Sequence, residues 1–127
     1  MFENTEAFSG FAVDDLAKAR DFYGGTLGLR ISDDGGMPKM FALLLGSGHR
    51  VLVYERAEFT PATYTILNFA VPDVGAAAAE LTRAGVQLER YPGFPQDDDG
   101  VMRGNGPDIA WFTDPAGNVL SVVSQTR

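Results

Sequence analysis

The hydrophobic and polar positions of this chain follow one pattern twice. Residues 11–16, with the sequence FAVDDL, recur 58 positions later as FAVPDV at residues 69–74. In both copies a short apolar run leads into an acidic residue, and apolar residues then recur at helical spacing. A glycine follows each helical stretch, at Gly28 and Gly85, where the left-handed backbone that ends many helices is easily adopted. The pattern predicts a strand and then an amphipathic helix in each copy.

Both predicted helices have a start and a buried face. Asp14 or Asp15 is expected to cap the first helix, and Asp73 the second, because a carboxylate accepts hydrogen bonds from the free N–H groups of the first turn. The residues predicted to face the core are Leu16, Ala19, Phe22, Tyr23 and Leu27 in the first helix, and Val74, Ala77, Ala78 and Leu81 in the second.

Three strand-like segments follow each helix. They lie near residues 29–33, 39–46 and 49–55 in the first copy, and near 86–91, 107–112 and 118–124 in the second. Residues that favour turns separate several of them, at 33–38, 46–48 and 114–118. The order βαβββ, repeated, predicts an α+β fold in which a curved mixed sheet is covered by helices on one face and surrounds a cup on the other.

Module one is predicted at residues 7–55 and module two at 64–125, joined by a linker at 56–63, all within one domain. Module two contains a long loop at 92–106 that is rich in proline, glycine and aspartate. Loops of this length in small domains are often binding loops. Its acidic triplet, Asp97 to Asp99, lacks the spacing of a calcium loop and is interpreted as solvated.

Composition narrows the possible partners. The net charge of −7 excludes a protein that relies on clustered basic residues to bind nucleic acid. The chain has no cysteine, so disulfides and thiolate metal sites are excluded, which suits a cytoplasmic location. No run approaches the roughly 20 apolar residues of a membrane span, and a soluble protein without a membrane partner is expected.

Several motifs resemble one known family. Residues 8–16 (FSGFAVDDL), the pair Phe22-Tyr23, residues 26–29 (TLGL) and residues 112–118 (FTDPAGN) are similar to the opening strand, helix, second strand and closing hairpin of the glyoxalase/bleomycin-resistance/dioxygenase superfamily, also called vicinal oxygen chelate proteins. The resemblance covers residues 8 to about 124. It implies paired βαβββ modules that form an open, U-shaped sheet, commonly in a homodimer.

The resemblance also locates the positions that hold a divalent metal in many members. In this sequence they fall on Phe8, Leu52, Ile66 and Ser121, which are not normal ligands for such ions. This departure predicts a protein without a metal or other cofactor. It argues against the metal-assisted reactions of the superfamily, namely glutathione-dependent isomerisation, extradiol ring cleavage and thiol addition to fosfomycin.

Strand alternation from these positions indicates which residues line the cup. Asn68 can orient a ligand or face water. Arg50 and Tyr54 can contact an anionic or aromatic ligand or lie on a solvated strand, and Arg103 can clamp a carboxylate or pair with the acidic triplet. Trp111 and Met102 can line a pocket or fill the core, and His49 is expected to be an exposed hairpin residue. The predicted ligand-binding residues are Arg50, Tyr54, Asn68, Met102, Arg103, Trp111 and Ser121.

The preferred hypothesis is a metal-independent small-molecule-binding protein of the bleomycin-resistance type, with the ligand in the cup. The alternative is a glyoxalase-like lyase, isomerase or dioxygenase with a non-standard or absent metal site. A third possibility is an interaction module whose cup is a dimer groove. The residues alone do not choose between these three functions.

Overall fold

The chain forms two compact units in a computed structural model that describes residues 1–33, 37–46, 48–104 and 106–125. The first unit comprises Met1–Thr60 and the second Pro61–Arg127. The division falls inside residues 56–63, where the sequence suggested a linker.

The first unit contains one strand, one helix and three more strands. Strand β1 is parallel to its neighbour, and the other pairs are antiparallel, in the order β1-β4-β3-β2. A π-helical segment extends the helix by further turns. In chain order the elements are β1 (Ser9–Val13), α1 (Leu16–Arg20), the π-helical segment (Asp21–Thr26), β2 (Arg30–Ser32), β3 (Met40–Leu44) and β4 (Arg50–Glu55).

The second unit repeats this topology. Its sheet has the order β5-β8-β7-β6, with β5 parallel to β8 and the remaining pairs antiparallel. The predicted α+β class and the βαβββ order of both modules are therefore confirmed. The elements are β5 (Thr65–Val71), α2 (Val74–Arg83), β6 (Leu88–Glu89), β7 (Ile109–Thr113) and β8 (Val119–Ser124).

The helix starts and stops follow from the sequence. Asp15, the second of the two candidate caps, accepts a hydrogen bond from the backbone N–H of Lys18 at 3.1 Å, and Asp73 accepts one from Ala76 at 3.0 Å. Gly28 and Gly85 follow the helices with φ of 71° and 87°, as a left-handed termination requires. The local signals at both ends of each helix were thus interpreted correctly.

The core of each unit lies between its helix and one face of its sheet. Phe11 and Val13 on β1 are buried, and so are the alternate residues Val51 and Val53 on β4. In the second unit α2 packs against β6, β7 and β8. Strand β5 is less covered, because its alternate apolar residues Leu67, Phe69 and Val71 are only half-buried.

The hairpin at 114–118 is a structural motif. Asp114 and Asn118 are both buried, and the Asp114 carboxylate accepts from the backbone N–H of Asn118 at 2.8 Å and from its side-chain amide at 3.1 Å. The Asn118 amide oxygen accepts from the backbone N–H of Ala62 at 3.0 Å. These bonds tie the start of the second unit to its last hairpin. Residues 34–36 and 47, in the other two predicted turns, and Asn105, in the long loop, lie outside the described residues.

Across the described part of the chain, every helix is too short or too polar to cross a lipid bilayer.

Candidate functional site

A row of side chains crosses the sheet of the second unit on the face opposite the alternate residues Leu120 and Val122. Asn68 on β5 lies directly beside Ser121 on β8, and Ser121 lies opposite Trp111 on β7. Partner residues in a ladder point to the same side of the sheet, so these three side chains share one face. Asn68 is exposed, whereas Ser121 and Trp111 are buried. Three of the predicted ligand-binding residues are therefore neighbours.

Asn68 and Ser121 form a short hydrogen bond. The Ser121 hydroxyl donates to the Asn68 side-chain oxygen at 2.5 Å. Ser121 is completely buried, so water does not compete for this hydroxyl. The bond places a neutral amide at the exposed end of the row and restrains its rotation.

Trp111 belongs to a cluster of three aromatic rings. Its ring centroid lies 5.5 Å from that of Tyr91 and 5.3 Å from that of Phe94, and Tyr91 and Phe94 are 5.7 Å apart. These distances are typical of favourable edge-to-face contacts. Burial raises the pKa of the Tyr91 phenol, and the negative charge of Glu89 raises it further. Sequence reasoning missed Tyr91 and Phe94, although two aromatics that flank a Pro-Gly turn were a usable signal.

Met102 joins the same face through a small ladder. Its backbone pairs with Ile109, the residue two before Trp111 on β7, and also with Gln96. Directly paired residues point the same way, which places the half-buried Met102 side chain beside that of Ile109 on the Trp111 face. In the described part of the long loop, Met102 therefore attaches the loop to β7.

Gln96 and Asp97 hold this loop in shape. The Gln96 amide accepts from the Tyr91 N–H at 2.8 Å and donates to the carbonyls of Glu89 and Gly100 at 2.9 Å. One carboxylate oxygen of Asp97 accepts from the N–H groups of Val101 and Asp99, both at 2.9 Å. The acidic triplet was expected to be merely solvated, but its first member organises the turn.

Arg103 points into an ion-pair cluster. Its guanidinium donates to Asp97 and to Asp108, each at 3.0 Å. Of the two roles considered for Arg103, this geometry corresponds to pairing within the loop. The backbone hydrogen bond from Val101 and then the bond from Arg103 lower the pKa of Asp97, and the bond to Asp97 raises the pKa of Arg103. The structure does not bring Arg103 into the row with Asn68.

Arg50 and Tyr54 belong to the first unit. They alternate along β4 with the buried residues Val51 and Val53, so both point to the exposed face. Tyr54 pairs with Ala12 on β1 and Met40 on β3. His49 is exposed and contacts the Ser9 hydroxyl through Nε2 at 3.3 Å, as befits a residue next to a hairpin.

The positions that the resemblance assigned to metal ligands do not fit a divalent ion. Phe8 is 67% exposed and lies just before β1, and the half-buried Leu52 and Ile66 carry no donor atoms. Ser121 offers only a hydroxyl that is already bonded to Asn68. Within residues 1–33, 37–46, 48–104 and 106–125, no three His, Asp or Glu side chains are grouped as a metal site requires. The function proposed below therefore includes no metal-dependent step.

A separate cleft of about 540 Å³ runs alongside α2. It contains none of the predicted ligand-binding residues. Two arginines and two aspartates in its lining balance its charge. Its lining includes Ala78, Arg83, Leu88, Arg90, Asp98 and Asp99.

Comparison with known protein families supports the architecture described above. Residues 7–122 match the model of the Glyoxalase/Bleomycin resistance protein/Dioxygenase superfamily. Paired βαβββ units of this kind define the class, and the match covers nearly the whole chain. The chain belongs to the glyoxalase/bleomycin resistance/dioxygenase superfamily. A comparison with functionally curated proteins found no match.

Solved structures of similar fold have diverse functions. A fosfomycin resistance protein from Listeria monocytogenes is 16% identical, with a TM-score of 0.71 over 97% of this chain and 92% of that one. A lactoylglutathione lyase from Agrobacterium tumefaciens is 20% identical, with a TM-score of 0.67 and coverage of 96% and 95%. An antibiotic-binding protein from a Streptomyces species is 22% identical, with a TM-score of 0.68 and coverage of 97% and 98%. At these identities the likeness shows the fold alone.

Proposed function

We propose that this chain is a small-molecule-binding protein that works without a metal and holds its ligand on the open face of the second unit's sheet. One observation carries the proposal: Ser121, at one of the positions where metal-dependent members of the family have a ligand, instead forms a neutral hydrogen-bonded pair with Asn68. A buried hydroxyl joined to an exposed amide suits the recognition of a neutral polar group. It does not suit coordination of a cation, which prefers carboxylate or imidazole.

The aromatic cluster supplies the apolar part of the proposed site. Trp111 and Tyr91 are largely covered, while Phe94 is 46% exposed and Met102 is half-buried at the adjacent position. Aromatic rings and a flexible thioether together favour planar, weakly polar ligands. The antibiotic-binding protein of similar fold supports a role in ligand sequestration.

Two further features belong to the proposal. Arg50 and Tyr54 stay predicted ligand contacts on the exposed face of the first unit, and Arg103 stays a predicted contact that acts only if its two ion pairs open. We also propose that the protein is a cytoplasmic homodimer, and light scattering coupled to size-exclusion chromatography will test its oligomeric state. A monomer across the micromolar range would contradict the dimer.

The first test is metal analysis of protein purified without a chelator or a metal-affinity step, repeated after incubation with Mn²⁺, Fe²⁺, Ni²⁺ and Zn²⁺. We expect well under one ion per chain in every case, because the residues at the family's ligand positions are apolar or already bonded. One tightly held ion per chain would contradict the proposal and would favour the lyase, isomerase or dioxygenase alternative.

The second test is isothermal titration with 2-acetylnaphthalene, a planar probe that carries one carbonyl. We expect binding that is unaffected by EDTA and that weakens about fivefold in Asn68→Ala, since loss of one well-placed hydrogen bond is worth about 1 kcal/mol. Gln87→Ala is the matched control, because it removes an exposed amide from the cleft alongside α2. Weaker binding in Gln87→Ala and not in Asn68→Ala would move the site to that cleft.

A further inference from the structure

We infer that Ser121 is a positioning residue: it holds the Asn68 amide with its NH₂ group directed away from the sheet, which makes the site selective for ligands that present a hydrogen-bond acceptor. The inference rests on the proposed binding function and names the ligand class for that site. In this inference Asn68 contacts the ligand, and Ser121 only positions Asn68.

The oxygen end of the Asn68 amide faces Ser121. The Ser121 hydroxyl donates to it, because an amide oxygen can only accept. The NH₂ group of Asn68 is therefore the end that does not contact Ser121.

Burial makes this orientation stable. Ser121 is completely buried, so an unsatisfied hydroxyl there would carry a desolvation penalty with no compensating bond to water. With the amide oxygen inward, the hydroxyl proton of Ser121 has an acceptor; with the amide reversed, the hydroxyl would accept from the NH₂ group and its own proton would need a different acceptor. Because Asn68 is itself exposed, its NH₂ group is then directed to the open side, where it can donate two hydrogen bonds.

The row also sets the size of the ligand. Asn68 and Trp111 are separated by the single strand β8, and neighbouring strands are about 4.8 Å apart, so the amide lies roughly 10 Å from the tryptophan backbone. A ligand with an acceptor at one end and a two-ring planar body can reach from Asn68 towards the exposed Phe94 edge of the aromatic cluster. The class is thus a fused- or two-ring compound that carries a carbonyl or another neutral acceptor oxygen.

The experiment compares two probes with the same naphthalene body in wild-type and variant proteins. 2-Acetylnaphthalene presents an acceptor, and protonated 2-(aminomethyl)naphthalene presents only donors. Asn68→Asp preserves the shape and still accepts from Ser121, but it replaces the outward NH₂ with an oxygen. We expect this variant to bind the acetyl probe at least tenfold more weakly and the ammonium probe more tightly, so that the preference inverts.

Ser121→Ala tests positioning directly. Without the hydroxyl the Asn68 amide can present either end to a ligand. We therefore expect the ratio of the affinities for the acetyl and ammonium probes to move towards one, although Asn68 itself is unchanged. Gln87→Ala is expected to leave the ratio unchanged. Probe binding with the same ratio in wild type and Asn68→Asp would overturn the inference and would leave the binding function intact.

A measurement without ligand separates the two proposals. NMR of the ligand-free protein is expected to show a Ser121 hydroxyl proton protected from exchange, and Asn68 side-chain amide protons that exchange freely. Protection of the Asn68 amide protons in place of the hydroxyl would show the reversed amide and would overturn the inference even if no probe binds. Failure of both probes to bind wild type, with the hydroxyl protected, would count against the binding function and so against the ligand class.

Discussion

The two units have the same sheet topology, but the corresponding rows across their sheets differ in chemistry. In the first unit the row consists of Gly10, Leu52 and Ala42, which offer no polar side-chain atom. In the second unit the corresponding row consists of Asn68, Ser121 and Trp111. The 58-residue offset of the repeat maps Gly10 onto Asn68, and their strand partners correspond as well. The same backbone register therefore supports an apolar surface in one unit and a polar, aromatic one in the other.

The connections between the second and third strands of each sheet differ too. In the first unit β2 and β3 are joined by residues 33–39, whereas residues 90–108 join β6 and β7 in the second. The longer connection supplies Tyr91, Phe94 and Met102 to the candidate site, and Gln96 and Asp97 hold it in place. The comparison teaches that the repeat supplies the scaffold, while one long connection and a few side chains create the candidate site.

The largest predicted difference between the two units concerns stability. Trp111→Ala removes the centre of the aromatic cluster and is expected to lower the free energy of unfolding by about 3–5 kcal/mol, as is typical for a buried aromatic. Urea unfolding followed by circular dichroism will measure it. Tyr54→Ala on the exposed face of β4 is the control, with an expected loss of about 1 kcal/mol or less. Equal losses at both positions would mean that the aromatic cluster packs no better than the exposed face.

The helix caps test whether the two units are equivalent outside the site. Asp73→Ala is expected to cost about 1 kcal/mol of stability. Asp15→Ala is expected to cost less, because the α1 N-terminus keeps a second acceptor, the Glu55 carboxylate, which is 2.9 Å from the Leu16 nitrogen. The same unfolding assay applies. Asp14→Ala is the control, since its neighbour Asp15 provides the cap, and it should change stability by only a few tenths of a kcal/mol. A larger loss in Asp15→Ala than in Asp73→Ala would contradict this explanation.

The smallest expected effect concerns the charge of Asp97 in the long connection between β6 and β7 of the second unit. Its pKa is lower in the folded protein than in the unfolded chain, so its charge stabilises the fold above the unfolded pKa, and this contribution disappears as the pH falls through the folded pKa. Asp97→Asn keeps an acceptor oxygen but loses the charge. We expect it to be less stable than wild type at pH 7 and closer to wild type near pH 3.

Unfolding curves at the two pH values will measure this difference. Asp98→Asn is the matched control, because it removes one charge from the same loop while the Asp98 side chain makes no hydrogen bond in the described part of the chain. A stability gap between wild type and Asp97→Asn that stays constant from pH 7 to pH 3 would show that the charge contributes nothing.

Much of the fold could be predicted because its signals are local. The caps at Asp15 and Asp73 and the stops at Gly28 and Gly85 depend on a few neighbouring residues, and the strands follow from alternation of apolar and polar positions. The repeat extended these local signals to the whole chain. The π-helical segment at Asp21–Thr26 was missed, because its hydrogen bonds, such as the one from the Leu27 N–H to the Phe22 carbonyl, differ from those of an α-helix by a shift that side-chain spacing does not reveal.

The candidate site was predicted only in part, because only some of its contacts follow from local signals. Alternation placed Asn68 and Ser121 on one face, and the structure joins them through a hydrogen bond. The sequence did not show which of the two adjacent candidates, Met102 and Arg103, faces the site. The bridge from Met102 to Ile109 turns Met102 towards the Trp111 face, and Arg103 then pairs with Asp97 and Asp108.

The sequence by itself determined the family, the βαβββ order of both modules and the lack of suitable residues at the family's metal positions, because each depends on residue identity at a known spacing. Only the tertiary structure decided that Tyr91 and Phe94 pack on Trp111 and that the Ser121 hydroxyl donates a hydrogen bond to the Asn68 amide. Those contacts join residues far apart in the chain, up to 53 positions for Ser121 and Asn68. Strand pairing and loop closure bring such residues together, and neither can be inferred from the neighbours of a residue along the sequence.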